Sequence, residues 1–375
     1  VDGQLIPLWK ASRHWFPVTQ HLVYMNHAAI APLSSPAAEA MKQWVENALC
    51  YGSLHYDQWL AAYRGLRQAA AQLIGANSDE IAIVKNTSEG ISTISLGLNL
   101  RPGDKVVAFR EEFGANFFPW KRLESKAIHM EWLSIWDPPE AISEACRGAR
   151  LLTISFVQYL SGYRADLETI GEICRLRGCL FFVDAIQGLG AFPVNVRKMG
   201  IHALAAGGHK WLLGPEGCGI LYVQKEVQEQ IVPAVLGWTN FAHAHDYASR
   251  DMTFRPDAGR YECGTLNTAG CFGLRAAIEL LLKIGIDKIA AEVQARADEI
   301  AAAVSAKGYE VMCRRTPATG AGIVSFRKPG VDSRVIVAVL QKQGVITAAR
   351  QGWVRASPHF YNSPEDVERM LAALP

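Results

Sequence analysis

The chain has 375 residues and a formal net charge of +2; half of its residues are apolar and a fifth are charged. That length exceeds what one hydrophobic core commonly serves, so a large domain with a smaller one appended is expected. The near-neutral charge, without a basic block or an arginine stripe, argues against nucleic-acid binding, and no apolar run is long enough to span a bilayer.

The first residues, VDGQLIPLWK, carry Asp2 and lack the basic-then-apolar plan of a secretory signal. Helical spacing of apolar residues covers 37–51 and 59–74. Short β-like runs follow: IAIV (81–84), KVVAF (105–109), LLTISFV (151–157), CLFFVD (179–184), ALAAG (203–207) and GILYV (219–223). Helical stretches such as 167–177 lie between most of them. This alternation predicts an α/β fold, its mainly parallel sheet covered on both faces and its ligands bound beyond the carboxyl ends of the strands. Residues 224–262 are rich in aromatics and poor in strand signals. Helical patterns at 268–282 and 288–307, strands at GIVSF (322–326) and WVRASP (353–358), and a last helix from Pro364 predict a smaller α+β domain. The expected division is a large domain over 20–260 and a small one built from 1–19 and 261–375. The eight cysteines are scattered without a CxxC pair, as in a cytoplasmic protein with reduced core thiols.

One lysine stands out. Lys210 sits between ALAA and WLL, apolar surroundings in which lysine is rare unless paired or used. Desolvation favours the neutral, nucleophilic amine. The segment alone fits equally well a lysine whose stem packs while its ammonium reaches water. Asp184 ends an apolar strand, where it could face a ligand and hold a proton on a pyridine nitrogen, or simply cap a helix. Gln187, one turn on, could donate to a ring oxygen. In NTSEG (86–90), Thr87 and Ser88 open a helix that could take a phosphate, although Asn86 with Glu89 also resembles a capping box. Phe113, after the KVVAF strand, could cover a planar ring or join an aromatic cluster. Arg355 ends a strand and could clamp a carboxylate, with Arg350 as competitor.

Together these segments, from YMNHAA (24–29) to RASPHFYN (355–362), resemble the class V aminotransferase family, fold type I of the pyridoxal-phosphate enzymes. The stretch VDAIQGLGAFPV…GGHKWLLGPEGCGILYV is similar to the family's lysine signature. The resemblance implies a mainly parallel seven-stranded sheet sandwiched by helices. It implies pyridoxal 5′-phosphate held as a Schiff base on Lys210, with Asp184 at the pyridine nitrogen and Gln187 at the ring oxygen. Thr87, Ser88 and His209 would bind the phosphate, Phe113 would stack on the ring, and Arg355 would take the substrate α-carboxylate. Asn26, His27 and Ala28 lie where the family's substrate loop lies. ECGTLNT (262–268) resembles a segment that crosses a homodimer, with Thr265 at the partner's phosphate.

Three departures matter. Phe113 stands where histidine is usual, Gly207 replaces a frequent phosphate-binding serine, and no cysteine lies between Gly344 and Arg355. Cysteine desulfurases carry a persulfide-forming cysteine there. The branch resembled is isopenicillin N epimerase-like, beside selenocysteine lyases and cysteine C–S lyases. The expected activity is chemistry at Cα or Cβ of a small amino acid, with Lys210 as base: carbon–sulfur or carbon–selenium lysis, or epimerisation. Transamination is the alternative, and a non-catalytic binding or regulatory protein the reading from another class. GLGAFP (188–193) lacks the third glycine of a dinucleotide fingerprint, and GGHK lacks the Ser or Thr of a P-loop. His243 and His245 lack a clear metal-ligand set and fit the substrate entrance better.

Overall fold

The computed structural model describes residues 6–375. The first five residues, which the signal reading and the expected small domain include, lie outside the described residues.

Strand β1 (Val23–Tyr24) comes first. The large sheet then takes β2 (Ile81–Val84), β3 (Lys105–Phe109), β4 (His129–Leu133), β5 (Ala149–Ser155), β6 (Leu180–Asp184), β7 (Ala203–Gly207) and β8 (Gly219–Val223), in the spatial order β2-β8-β7-β6-β5-β3-β4. Pairings β7–β6–β5–β3–β4 are parallel, while β8 runs antiparallel to both β7 and β2. β2 therefore points the same way as β7. Strands β6, β7 and β8 are buried along almost their whole length, as two-sided coverage by helices requires, and the edge strand β2 is buried as well. The sequence pass misses β4, HMEWL, an edge strand that is exposed or half-buried at four of its five positions. An edge strand needs no continuous apolar run, so its signal is weak.

The second unit is an antiparallel sheet of β9 (Glu310–Val311), β10 (Val324–Arg327), β12 (Ala348–Arg350) and β13 (Trp353–Ala356), in the order β12-β13-β10-β9. Between them in sequence, β11 (Val345–Ile346) pairs in parallel with β1. The apolar cores place the boundary elsewhere than near residue 260. The helix Thr268–Ile284 packs on the helices Ser35–Tyr51 and Tyr56–Ile74, and its Cys271, Leu274, Ile278 and Leu281 belong to the main core. Gly273 makes this possible, since a Cβ there would lie 2.8 Å from Met41. Conversely, Val23 and Met25 join the core of the small unit. The helix Ile286–Ala306 serves both: Ile289 and Val293 face the main core, Ala297, Ile300 and Val304 the smaller one. No helix among the described residues is long and apolar enough to cross a membrane.

Backbone contact fixes the segment that carries Lys210. Gly190 has φ +97°, and a Cβ on it would sit 2.3 Å from the Trp211 carbonyl oxygen. Only glycine accepts both the left-handed backbone and that approach. Gly190→Ala is expected to lower stability by more than about 2 kcal/mol in urea unfolding and to reduce cofactor retention, because Lys210 is displaced with its neighbour.

Candidate active site

Strands β2, β3, β5, β6 and β7 share one direction, so the loops after them meet at one edge of the sheet. Those loops begin at Lys85, Arg110, Phe156, Ala185 and Gly208. They carry Thr87, Ser88, Phe113, Gln187, His209 and Lys210, and β6 itself ends on Asp184, which is the strand-end rule for parallel sheets at work.

Lys210 is half-buried, with Nζ 5.9 Å from the centre of the Phe113 ring. Burial pulls its ammonium down to about 8; Asp184 opposes the shift, and Arg355 and Arg350 add to it. Asp184 is buried at the end of β6, and its Oδ1 accepts from the Ile186 N–H at 3.0 Å. Burial pushes this carboxyl up to about 6, with Lys210 opposing, so it is mostly ionised at neutral pH. Phe113 is 53% exposed and packs edge-on against Tyr159, which leaves ring surface open to a planar ligand.

Gln187 is buried and its orientation is fixed from both ends. Its Oε1 accepts from the Trp211 indole at 2.9 Å, and its Nε2 donates to the Ala28 carbonyl at 3.0 Å. One amide hydrogen remains, so the residue is left as a donor. Thr87 Oγ1 accepts from the Gly207 N–H at 2.9 Å. Asn86 caps the helix Thr87–Gly97 through the Glu89 N–H at 2.9 Å, and the first-turn N–H groups of Thr87 and Ser88 have no place in the helical ladder. A Cβ on Gly207 would lie 3.2 Å from the His209 ring and 3.3 Å from Thr87 Oγ1. Glycine thus leaves open a cradle that a side chain would fill. Its donors suit a phosphate, and the residues present fit pyridoxal phosphate.

Arg355 settles the choice between the two arginines in favour of burial. Arg350 is exposed, with Nη1 on the Ala349 carbonyl. Arg355 is 2% exposed, and its Nη1 donates to the Tyr159 carbonyl at 2.7 Å. Its Nε is buried with no hydrogen-bond partner, and among the described residues no acid lies within ion-pair distance. Burial and Arg350 pull its pKa down to about 10, so it remains a cation.

The substrate-loop expectation needs correction at His27 and Ala28. His27 is wholly buried and cannot touch substrate: Nδ1 meets the Ser357 carbonyl at 2.8 Å and Nε2 the Tyr361 hydroxyl at 2.6 Å. Ala28 is buried beside it, its N–H on Ser357 Oγ at 3.0 Å. Asn26 keeps a buried Oδ1 without a partner and stays available to a ligand. Thr265 does not line this edge in a single chain. It borders a separate hollow of about 390 Å³ with Tyr56, Arg64, Trp238 and His245. His243 faces a neighbouring hollow, its Nε2 3.6 Å from Asp251.

The sequence pass overlooks Glu112. This buried acid accepts from the Ser155 N–H at 2.7 Å, from the Ser155 hydroxyl and from Gln158 Nε2 at 3.2 Å. Ser155 is the register partner of Asp184, so Glu112 clamps the strand beside the key carboxylate. Burial pushes Glu112 up to about 7, the charge of Asp184 adding to the effect. Its signal was its place at the carboxyl end of β3, next to Phe113.

The family profile for aminotransferase class-V matches residues 23–370. The chain belongs to the class-V aminotransferase family. It is 32% identical to a probable cysteine desulfurase of Methanothermobacter thermautotrophicus over 95% of this chain and 94% of that one. It is 30% identical to a probable cysteine desulfurase of Pyrococcus abyssi, over 96% and 94%. The cysteine desulfurase of Thermococcus onnurineus, solved in its apo form, superposes with a TM-score of 0.91 at 27% identity, covering 99% of this chain and 98% of its own. This class-V protein is therefore an enzyme with the type I fold, and its cofactor is pyridoxal phosphate.

On the expectation that Lys210 holds the cofactor, its neutral amine would be the form that captures the aldehyde. Below about pH 8 that amine is increasingly protonated, so capture by the cofactor-free protein should slow about tenfold per pH unit. Asp184 raises the lysine pKa, so Asp184→Asn should move the inflection to lower pH. Stopped-flow absorbance across pH 6–10 checks both; an unmoved inflection would rule out the coupling.

Proposed function

We propose that this enzyme is a carbon–sulfur or carbon–selenium lyase acting on a small α-amino acid without a cysteine persulfide. One observation carries the reading: a buried guanidinium, Arg355, lacks an acid partner beside the buried amine of Lys210. An unpaired buried cation is costly unless an anion arrives, and an α-carboxylate matches a guanidinium fork. The similarity to cysteine desulfurases favours a sulfur- or selenium-bearing substrate.

The β12–β13 turn argues for the missing persulfide. Arg350 pairs with Trp353 across a hairpin whose two turn residues are Gln351 (φ +49°) and Gly352 (φ +82°). Positive φ at both positions is the tight primed turn that matches the twist of flanking strands. Gln351 Nε2 also donates to the Tyr159 hydroxyl at 2.6 Å, pinning the turn to the wall of the site. Cys313, the nearest cysteine in sequence, is buried with its thiol on the Arg314 carbonyl.

The chemistry pyridoxal phosphate supplies is stabilisation of negative charge at Cα. Arg355 and Asn26 orient the substrate. Thr87, Ser88 and His209 hold the phosphate, and Asp184 keeps a proton on the pyridine nitrogen. The amine of Lys210 would take the Cα proton. Phe113 packs the ring but moves no proton, which leaves Lys210 as the proton-transfer group. A cavity of about 510 Å³ bordered by Glu112, Trp136, Gln158, Tyr159 and Gln351 adjoins this point and offers room for a leaving group. In solution the enzyme forms a homodimer in which Thr265 reaches the partner's phosphate. Exposed Leu54, Trp238, Tyr247 and Met252 support this face as the contact.

Lys210→Ala should lower turnover by about 10³-fold or more and abolish the absorbance of lysine-bound cofactor. Each of the eight Cys→Ser variants should keep wild-type release of sulfide, 2-oxo acid and ammonia from cysteine. Loss of sulfide release in any one folded variant would restore a persulfide route. Arg355→Lys should raise KM about tenfold or more while changing kcat less, because a point charge replaces a fork. Sedimentation should give a dimer, with Thr265→Ala retaining the dimer and losing cofactor faster.

A further inference from the structure

Three of the eight cysteines meet at the far end of the sheet from the active site. Cys146 caps the helix Pro139–Ala145, Cys174 lies in the helix Leu167–Arg177, and Cys179 precedes β6. All three are buried, and their sulfur atoms lie within 4.8 Å of one another. Asp184 ends the same strand that Cys179 enters, which puts the thiols about 16 Å from the chemistry at strand rise. The proposed lyase reaction makes no use of them.

We propose that Cys146, Cys174 and Cys179 form a three-thiolate site for a soft divalent cation of the zinc type. Tetrahedral zinc with bonds of about 2.3 Å holds its sulfurs about 3.8 Å apart, so the observed spacing closes with small side-chain rotations. The three come from separate elements that the core already fixes, so the chain entropy of assembling the ligands is spent in folding. Gly178, in the left-handed conformation (φ +67°), turns the chain sharply enough to bring Cys179 back beside Cys174.

Two further features suit a cation. A cavity of about 410 Å³ reaches Cys174 and Cys179 and is bordered by His202, Arg175 and Arg197, giving an entry path and an open fourth position. His202 cannot supply that fourth ligand as it stands. Its Nδ1 accepts from the Phe181 N–H at 3.0 Å, which leaves Nε2 bearing the hydrogen. That tautomer suits it to donate to a bound thiolate, the role of outer-sphere partners around metal ligands. Three thiolates and a divalent ion carry one net negative charge, and three protons leave on binding.

The test uses the full-length holoenzyme, reduced and freed of metal with a chelator, then titrated with Zn(II) or Cd(II). Inductively coupled plasma mass spectrometry after desalting should give one zinc per chain. The cadmium difference spectrum should show a thiolate charge-transfer band with the amplitude of three thiolates. Cys174→Ser and Cys179→Ser should each bind about tenfold or more weakly. Turnover should be the same with and without metal. Zinc that survives both variants sits elsewhere, on His243 and Asp251 for example, and overturns the proposal. So does a disulfide between two of the three in protein purified without reductant. If neither variant folds, the wild-type cadmium spectrum decides, and a missing thiolate band overturns the site. None of these outcomes bears on the reading of Lys210 and Arg355.

Discussion

The structure depends on a charge imbalance held out of water. Lys210 and Arg355 are cations near enough to act on one another, and Asp184 is the ionised carboxylate whose charge acts on the amine. Burial lowers both pKa values; Arg355 and Arg350 add to the fall at Lys210, and Arg350 to the fall at Arg355. Glu112 is the nearby acid that could offset them, yet Ser155 and Gln158 occupy it. The fold supports this arrangement because rigid strand ends carry the charges and a deep apolar core stands behind them. An anionic substrate and a phosphorylated cofactor correct the imbalance, so binding and electrostatics point the same way.

Much of this was legible in the sequence, for a physical reason. Strands buried on both faces must be apolar throughout, so IAIV, KVVAF and CLFFVD mark their own ends, and a polar residue just past each end faces the ligand. That logic places Asp184, Thr87 and Lys210 without any contact being known. It misses β4 because an edge strand is half solvated. It also misses β9 and β12, which are two and three residues long and make no periodic signal. The helix Thr268–Ile284 follows an irregular stretch, so its core could not be read from its own pattern. Only the packing on Met41 and its neighbours shows which core it joins.

The site residues divide along a similar line. Identity and position identified Lys210, Asp184 and Arg355, whose charges make them conspicuous. Burial could not be read from type, and His27 is the instructive failure. A histidine in a loop beside a ligand site invites a contact role, whereas this one is pushed down to about 4 by burial and held neutral. Gln187 shows the converse. Its type allowed either donor or acceptor, and Trp211, invisible to any local motif, turned it into a donor.

His27 nevertheless bears on function, through connection. Its N–H and Nδ1 both meet the Ser357 carbonyl, the Ser357 N–H returns to the Met25 carbonyl at 2.7 Å, and Nε2 reaches Tyr361. The Asn26 loop and the strand that carries Arg355 are thus one unit, although 329 residues separate Asn26 from Arg355 in the sequence numbering. A second buried histidine, His359, packs its ring 5.2 Å from His27 and meets the Trp211 carbonyl at 3.2 Å. That carbonyl is the one Gly190 approaches from the other side, next to Lys210. Two neutral imidazoles therefore tie the strand bearing Arg355 to the segment bearing Lys210. Their charge would be useless in so dry a place; what they contribute is a fixed distance between the group proposed to hold the substrate and the group proposed to take its proton.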